Sequence, residues 1–171
     1  MIADALKAAA LLFTAAIVQV SILSGVAVFG GRPDLVLVTL VAVALLRGAI
    51  EGAVAGFWVG LVVDTGTFAT LGFTSLLLTT AGYWIGRYGE TTGRGRTRAP
   101  ILSVAVATTL VAFGALALHF MLGENAPARA VLVDALPPSL VLNLVLTGPV
   151  FALCRRLLRG DERAPEVPLL G

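Results

Sequence analysis

The sequence predicts an all-α integral membrane bundle of six helices, the second and third of them short. Two features of its composition and one of its charge pattern carry that expectation. Of 171 residues, 58% are hydrophobic and only 13% charged, against about 45–50% and about 25% in a soluble domain. Charge-free apolar runs recur along the chain at close to the length of about 20 residues that a membrane span needs. The same numbers exclude a water-soluble globule and a disordered chain, which needs low hydrophobicity and high net charge.

The first helix is expected over 6–29, most of it in the uncharged run from Ala8 to Gly31 that follows Lys7, with Gln19 as a polar residue within it. This run is too long for the apolar region of a leader, about 7–15 residues, so no cleavable signal peptide is expected. Between Arg32 and Asp64, one straight helix would reach about 50 Å and would carry Arg47 and Glu51 at its centre, which is costly in lipid. Two helices over 33–46 and 50–64, joined near Arg47–Gly48, fit better. They either cross a thinned region or pack inside the bundle. Pro33 suits a first helical position. Asp34 and Glu51 suit first turns and Arg47 a last turn, where each complements the helix dipole. The fourth and fifth helices are expected over 69–88 and 100–122, and the sixth over 132–157. Asn143 lies inside the sixth, where Pro137, Pro138 and Pro149 are expected to kink or interrupt it.

Six spans place both termini on one side. Ten of the twelve basic residues then share that side, leaving Arg32 and Arg129 opposite. By the positive-inside rule the shared side is cytoplasmic. A five-span chain would scatter the basic clusters over both sides. Residues 1–160 form the transmembrane domain in this reading, and 161–171 a flexible cytoplasmic tail. No loop has room for a soluble domain.

Catalytic patterns are missing. Lys7 is the only lysine and no P-loop surrounds it; there is no Gly-x-Ser-x-Gly; His119 and Cys154 are each the only one of their kind. His119 therefore forms no His-x-x-x-His zinc pair. Ser103 lies sixteen residues before it, about 24 Å along a helix. A structural or interfacial role near the outer end of its span suits His119 better. No enzyme activity, metal or cofactor is expected. Arg94-x-Arg96-x-Arg98 is explained by topology and anionic headgroups, and nucleic acid is not an expected partner.

The most informative segment is Gly52-Ala-Val-Ala-Gly56-Phe-Trp-Val-Gly60-Leu-Val-Val-Asp64. Residues four apart share a helix face, and a glycine groove lets a second helix approach closely. Packing within the chain is favoured over a partner contact. Gly82-Tyr-Trp-Ile-Gly86 repeats the idea in the fourth helix. Asp64 has two readings of equal weight: an intramembrane functional carboxylate, or an exposed cap in an Asp64-Thr-Gly-Thr turn. Gln19 and Asn143 are expected to act as interhelical glue rather than as substrate contacts.

These residues, in order, resemble the MreD family of rod shape-determining membrane proteins. The resemblance is carried by Gln19-Val-Ser21, Pro33-Asp34-Leu35, Leu45-Leu46-Arg47-Gly48, Gly56-Phe57-x-x-Gly60-Leu61-x-x-Asp64, Leu71-Gly72 and Gly82-Tyr83-x-x-Gly86-Arg87. It implies a non-enzymatic component of bacterial cell-wall elongation that binds MreC and scaffolds peptidoglycan synthesis. Through MreC it implies links to MreB, RodA and a class B penicillin-binding protein. The family is also similar in fold to the substrate-binding S-components of energy-coupling-factor transporters. That implies an alternative, a membrane subunit binding a small molecule, with Gln19, Asp64, His119 and Asn143 as candidate polar contacts. A lipid-modifying enzyme would need a paired-acid motif within the spans, which the sequence lacks.

Overall fold

The structure is a computed structural model that describes residues 2–25, 27–28, 30–68, 70–92, 99–123 and 128–158. Arg94, Arg96, Arg98, Arg159, Arg163 and the expected tail lie outside the described residues. Six α-helices are present among the described residues: α1 (Ile2–Ser21), α2 (Leu35–Arg47), α3 (Ala49–Thr67), α4 (Phe73–Thr92), α5 (Ala99–Met121) and α6 (Leu136–Leu158). By length and apolarity α3, α5 and the segment Ala130–Leu158 can cross a membrane, while Ala5–Ser21 and Leu35–Arg47 are shorter apolar helices.

α2 is the axis of the bundle, and each of the other five helices packs on it. Every residue from Val36 to Leu45 is buried. Its sequence, Leu-Val-Leu-Val-Thr-Leu-Val-Ala-Val-Ala-Leu-Leu, is apolar all round, as a helix without a solvent face must be. At 13 residues it is about 20 Å long, shorter than a hydrocarbon core of about 30 Å. The break after Arg47 falls at Gly48, whose φ of +108° is open to glycine and strained for other residues.

Several boundaries differ from expectation: α1 begins four residues early, at Ile2, α4 lies four residues further on, at Phe73–Thr92 instead of 69–88, and four other ends bear on the site. α1 stops at Ser21 instead of 29. The chain then makes a 3-10 turn at Leu23–Gly25 and a short antiparallel bridge between Val28 and Gly31, with Gly30 at φ +84°. Pro33 is not the first helical residue: Asp34 is the N-cap of α2, and its carboxylate accepts from the Leu37 N–H at 2.9 Å. α3 continues three residues past Asp64, to Thr67, and is about 28 Å long. Ahead of α6, residues Ala130–Ala135 form a π-helix in which the Leu136 N–H donates five residues back to Val131. Pro137 and Pro138 have no N–H to donate, and the wider turn carries the helix into them without a break.

α3 and α4 are antiparallel and in close contact. A Cβ added at Gly52 would lie 2.6 Å from the Gly82 carbonyl oxygen. One at Gly56 would strike the Leu78 carbonyl, one at Gly60 the Ser75 backbone and one at Gly86 the Gly48 backbone. With no hydrophobic drive between helices in lipid, backbone-to-backbone approach of this kind is what holds two helices together.

Candidate functional site

The polar residues gather at three helix N-termini. Each N-terminus leaves N–H groups without intrahelical partners, and in a membrane these must be satisfied within the protein.

The first cluster surrounds the start of α2, where the chain enters the bundle in irregular conformation at Arg32–Asp34. The Arg32 N–H donates to the Ser139 hydroxyl at 2.9 Å. Pro33 has none to donate. The Asp34 N–H donates to Asn143 Oδ1 at 2.7 Å, and the Leu35 N–H to Gln19 Oε1 at 2.9 Å. Gln19 Nε2 returns a bond to the Pro33 carbonyl at 3.1 Å. Asn143 Nδ2 donates to the buried Thr108 hydroxyl at 3.1 Å. Gln19 of α1 and Ser139 and Asn143 of α6 are thus tied to a single stretch of backbone, and Thr108 of α5 is joined to it through Asn143. Gln19, Asp34 and Asn143, separate in the sequence, form one network.

The second cluster is the start of α4. Asp64 is fully buried and has no part in a local turn. Its Oδ2 accepts from the Gly72 N–H at 2.8 Å and the Ser75 N–H at 3.4 Å, and its Oδ1 from the Thr74 N–H at 3.0 Å. The exposed turn-cap reading is therefore corrected: α3 runs through Asp64, and the carboxylate caps the next helix. The C-terminal end of α3 disfavours the charge, but the N-terminal end of α4 lies against it and favours it. Ser75 adds a bond from its hydroxyl to the Phe57 carbonyl at 2.9 Å.

The third cluster, at the opposite end of α3, repeats the device. Glu90 Oε1 accepts from the Ala49 N–H at 2.8 Å, and Glu90 Oε2 meets Arg87 at 3.4 Å. Arg47 pairs with Glu51 beside it. Sequence reasoning missed Glu90. The signal was available, because Glu90, like Asp64, is an acid near a helix C-terminus where its own dipole disfavours it. It also missed Thr108 and Ser139, which look like ordinary span residues until their partners are known.

The expected glycines, Gly52, Gly56, Gly60, Gly82 and Gly86, lie along the α3–α4 contact. His119 packs on Phe73 with ring centroids 5.0 Å apart. Two grooves flank α1. One of about 780 Å³ faces α3, and one of about 370 Å³ faces α6. Gln19, Asp64, His119 and Asn143 line neither. No group of three or more His, Cys, Asp or Glu side chains gathers among the described residues. The chemistry of these clusters is hydrogen bonding spent on backbone, which fixes helix ends and helix order.

Compared with known proteins, residues 5–160 match the family model of the rod shape-determining protein MreD. No curated protein matches the chain, and no solved structure does.

Proposed function

The chain belongs to the MreD family, whose members are rod shape-determining membrane proteins, and from that premise we propose that it is a non-enzymatic scaffold of cell-wall elongation that binds MreC. MreB, RodA and a class B penicillin-binding protein are linked to it through MreC. It lies in the bacterial inner membrane with both termini in the cytoplasm. The single observation that carries the reading is the family match across nearly the whole chain. The geometry supports it: the conspicuous polar residues of the spans hold helix ends in place, and the two grooves are lined by other residues. A small-molecule site of the S-component kind would need several polar groups converging on a cavity.

The test is rescue of rod shape in cells depleted of the native protein, with affinity capture from mild detergent. The scaffold reading expects rescue and co-purification of MreC. Failure to rescue in its own host would sink it. Capture of a transporter T-component with its ATPases, in place of MreC, would establish the alternative.

A further inference from the structure

Three helices carry a basic residue at nearly the same distance from the network that binds the start of α2. Lys7 precedes Gln19 by 12 residues on α1, Arg47 follows Asp34 by 13 on α2, and Arg155 follows Asn143 by 12 on α6, about 18–20 Å of helix in each case. Tilt only shortens that height. With the basic residues at one boundary of a hydrocarbon core about 30 Å thick, the network lies about 10 Å inside the other. The backbone beside it is irregular: a 3-10 turn at Leu23–Gly25, the Val28–Gly31 bridge and the stretch Arg32–Asp34. Ile22 is 62% and Val28 36% exposed, so the bundle does not cover this backbone. Arg32 is exposed as well, and its guanidinium has no partner among the described residues. The last helices are longer. α5 has 23 residues and the segment Ala130–Leu158 has 29, about 34 and 43 Å. The bundle is therefore thin around α1 and the start of α2, and of full length at α5 and α6.

We infer that the protein thins the membrane leaflet opposite Lys7, Arg47 and Arg155 around the α1–α2 connection, and that Arg32 binds the phosphate of a lipid headgroup there. Lipid-exposed irregular backbone does not occur within hydrocarbon, and an arginine held there is costly. Bringing the headgroups down costs only a modest amount per ångström of mismatch, so the leaflet gives way. The chemistry of the site selects the ligand. A guanidinium presents its donors in a fork that matches phosphate oxygens, and phosphate is the anion that phospholipid headgroups share. The Arg32 side chain extends toward the headgroups while the headgroups descend, and the gap closes from both sides. The inference requires only that the chain spans a membrane. It is independent of MreC binding and of which end of the bundle is cytoplasmic.

The experiment uses the full chain in a Cys154→Ala background, spin-labelled at one introduced cysteine. It is reconstituted in dioleoylphosphatidylcholine vesicles in phosphate-free buffer, so that lipid is the only source of phosphorus. Ile22→Cys places the label three residues past Gln19. Val141→Cys places it two residues before Asn143, at nearly the same height, on an exposed face of α6 that two residues of helix turn away from Ser139. The Ile22→Cys label is expected to collide several-fold more often with a water-soluble nickel chelate than the Val141→Cys label. It should also accelerate the nuclear relaxation of lipid phosphorus several-fold more. Adding Arg32→Leu should lower both readings at Ile22→Cys. Arg32→Lys, which keeps a phosphate-binding charge, should preserve them. Equal readings at the two labels would overturn the thinning, and that comparison leaves Arg32 in place. Chelate contact without phosphorus relaxation would mean a water-filled vestibule and would overturn the assignment to lipid phosphate. Readings that Arg32→Leu leaves unchanged would overturn the role of Arg32.

Discussion

Asp64→Asn tests the structure at its most demanding point. An amide presents one acceptor oxygen where the carboxylate presents two. In its best orientation the amide keeps the bonds to the Gly72 and Ser75 N–H groups and turns its NH₂ toward the Thr74 N–H, now 3.0 Å from a donor instead of an acceptor. Losing a hydrogen bond to a charged acceptor and leaving a buried N–H unsatisfied costs about 2–3 kcal/mol. Neutralising the charge adds little, because the α3 and α4 dipoles act on it in opposite senses. For a chain of this length about 1 kcal/mol shifts Tm by roughly 2–4 °C in soluble proteins, so a fall of about 4–12 °C is expected. Asp64→Ala orphans all three donors and should fall further. The assay is built in: Cys154 is the chain's only cysteine and is 1% exposed, so its maleimide reactivity against temperature in mild detergent reports opening of the bundle. Rod-shape rescue and MreC capture should decline in step with the folded fraction. If Asp64→Asn opens within about 2 °C of the unmodified protein, the two-oxygen cap is wrong. A stable Asp64→Asn that still loses MreC would instead place the charge in a partner contact.

Gly56→Leu drives a side chain into the Leu78 and Thr79 backbone and should cost at least the about 1–3 kcal/mol typical of overpacking, whereas Leu61→Met should be mild; equal thermal stability of the two would mean that α3 and α4 are not in close contact. Asn143→Leu removes acceptors and donors for the Asp34 N–H and the Thr108 hydroxyl and should destabilise by about 2 kcal/mol, with a coupling to Thr108→Ala of about 0.6–2 kcal/mol in a double-mutant cycle. Glu90→Gln keeps an acceptor for the Ala49 N–H and should be nearly neutral, while Glu90→Ala should cost about 1–3 kcal/mol, read from the same Cys154 opening curve. In a Cys154→Ala background, a cysteine at Ala99 should be shielded from impermeant maleimide in intact cells and one at exposed Met121 should label; labelling of position 99 would overturn the orientation.

The sequence by itself determined the number of helices, the break at Gly48 and the small-residue faces of α3 and α4. These follow from local rules. Apolar run length reports spans, a glycine between two charged residues marks a turn, and a spacing of four puts Gly52, Gly56 and Gly60 on one face. Only the tertiary structure decided that α2 is the central helix. Lipid and protein interior are equally apolar, so an all-apolar helix reads the same whether it faces one or the other. Only the tertiary structure decided, too, what the polar residues bind. Asp64 was legible as unusual, but its partners lie 8 to 11 residues onward, across a turn, on the next helix. Asn143 meets Asp34 across 109 positions. A hydrogen bond depends on distance in space, and composition and periodicity record only distance along the chain. The need was local: Pro33 and the irregular backbone around it had to find side-chain partners in a medium without water. Which side chains answered it was settled by the packing of α1, α5 and α6 around α2.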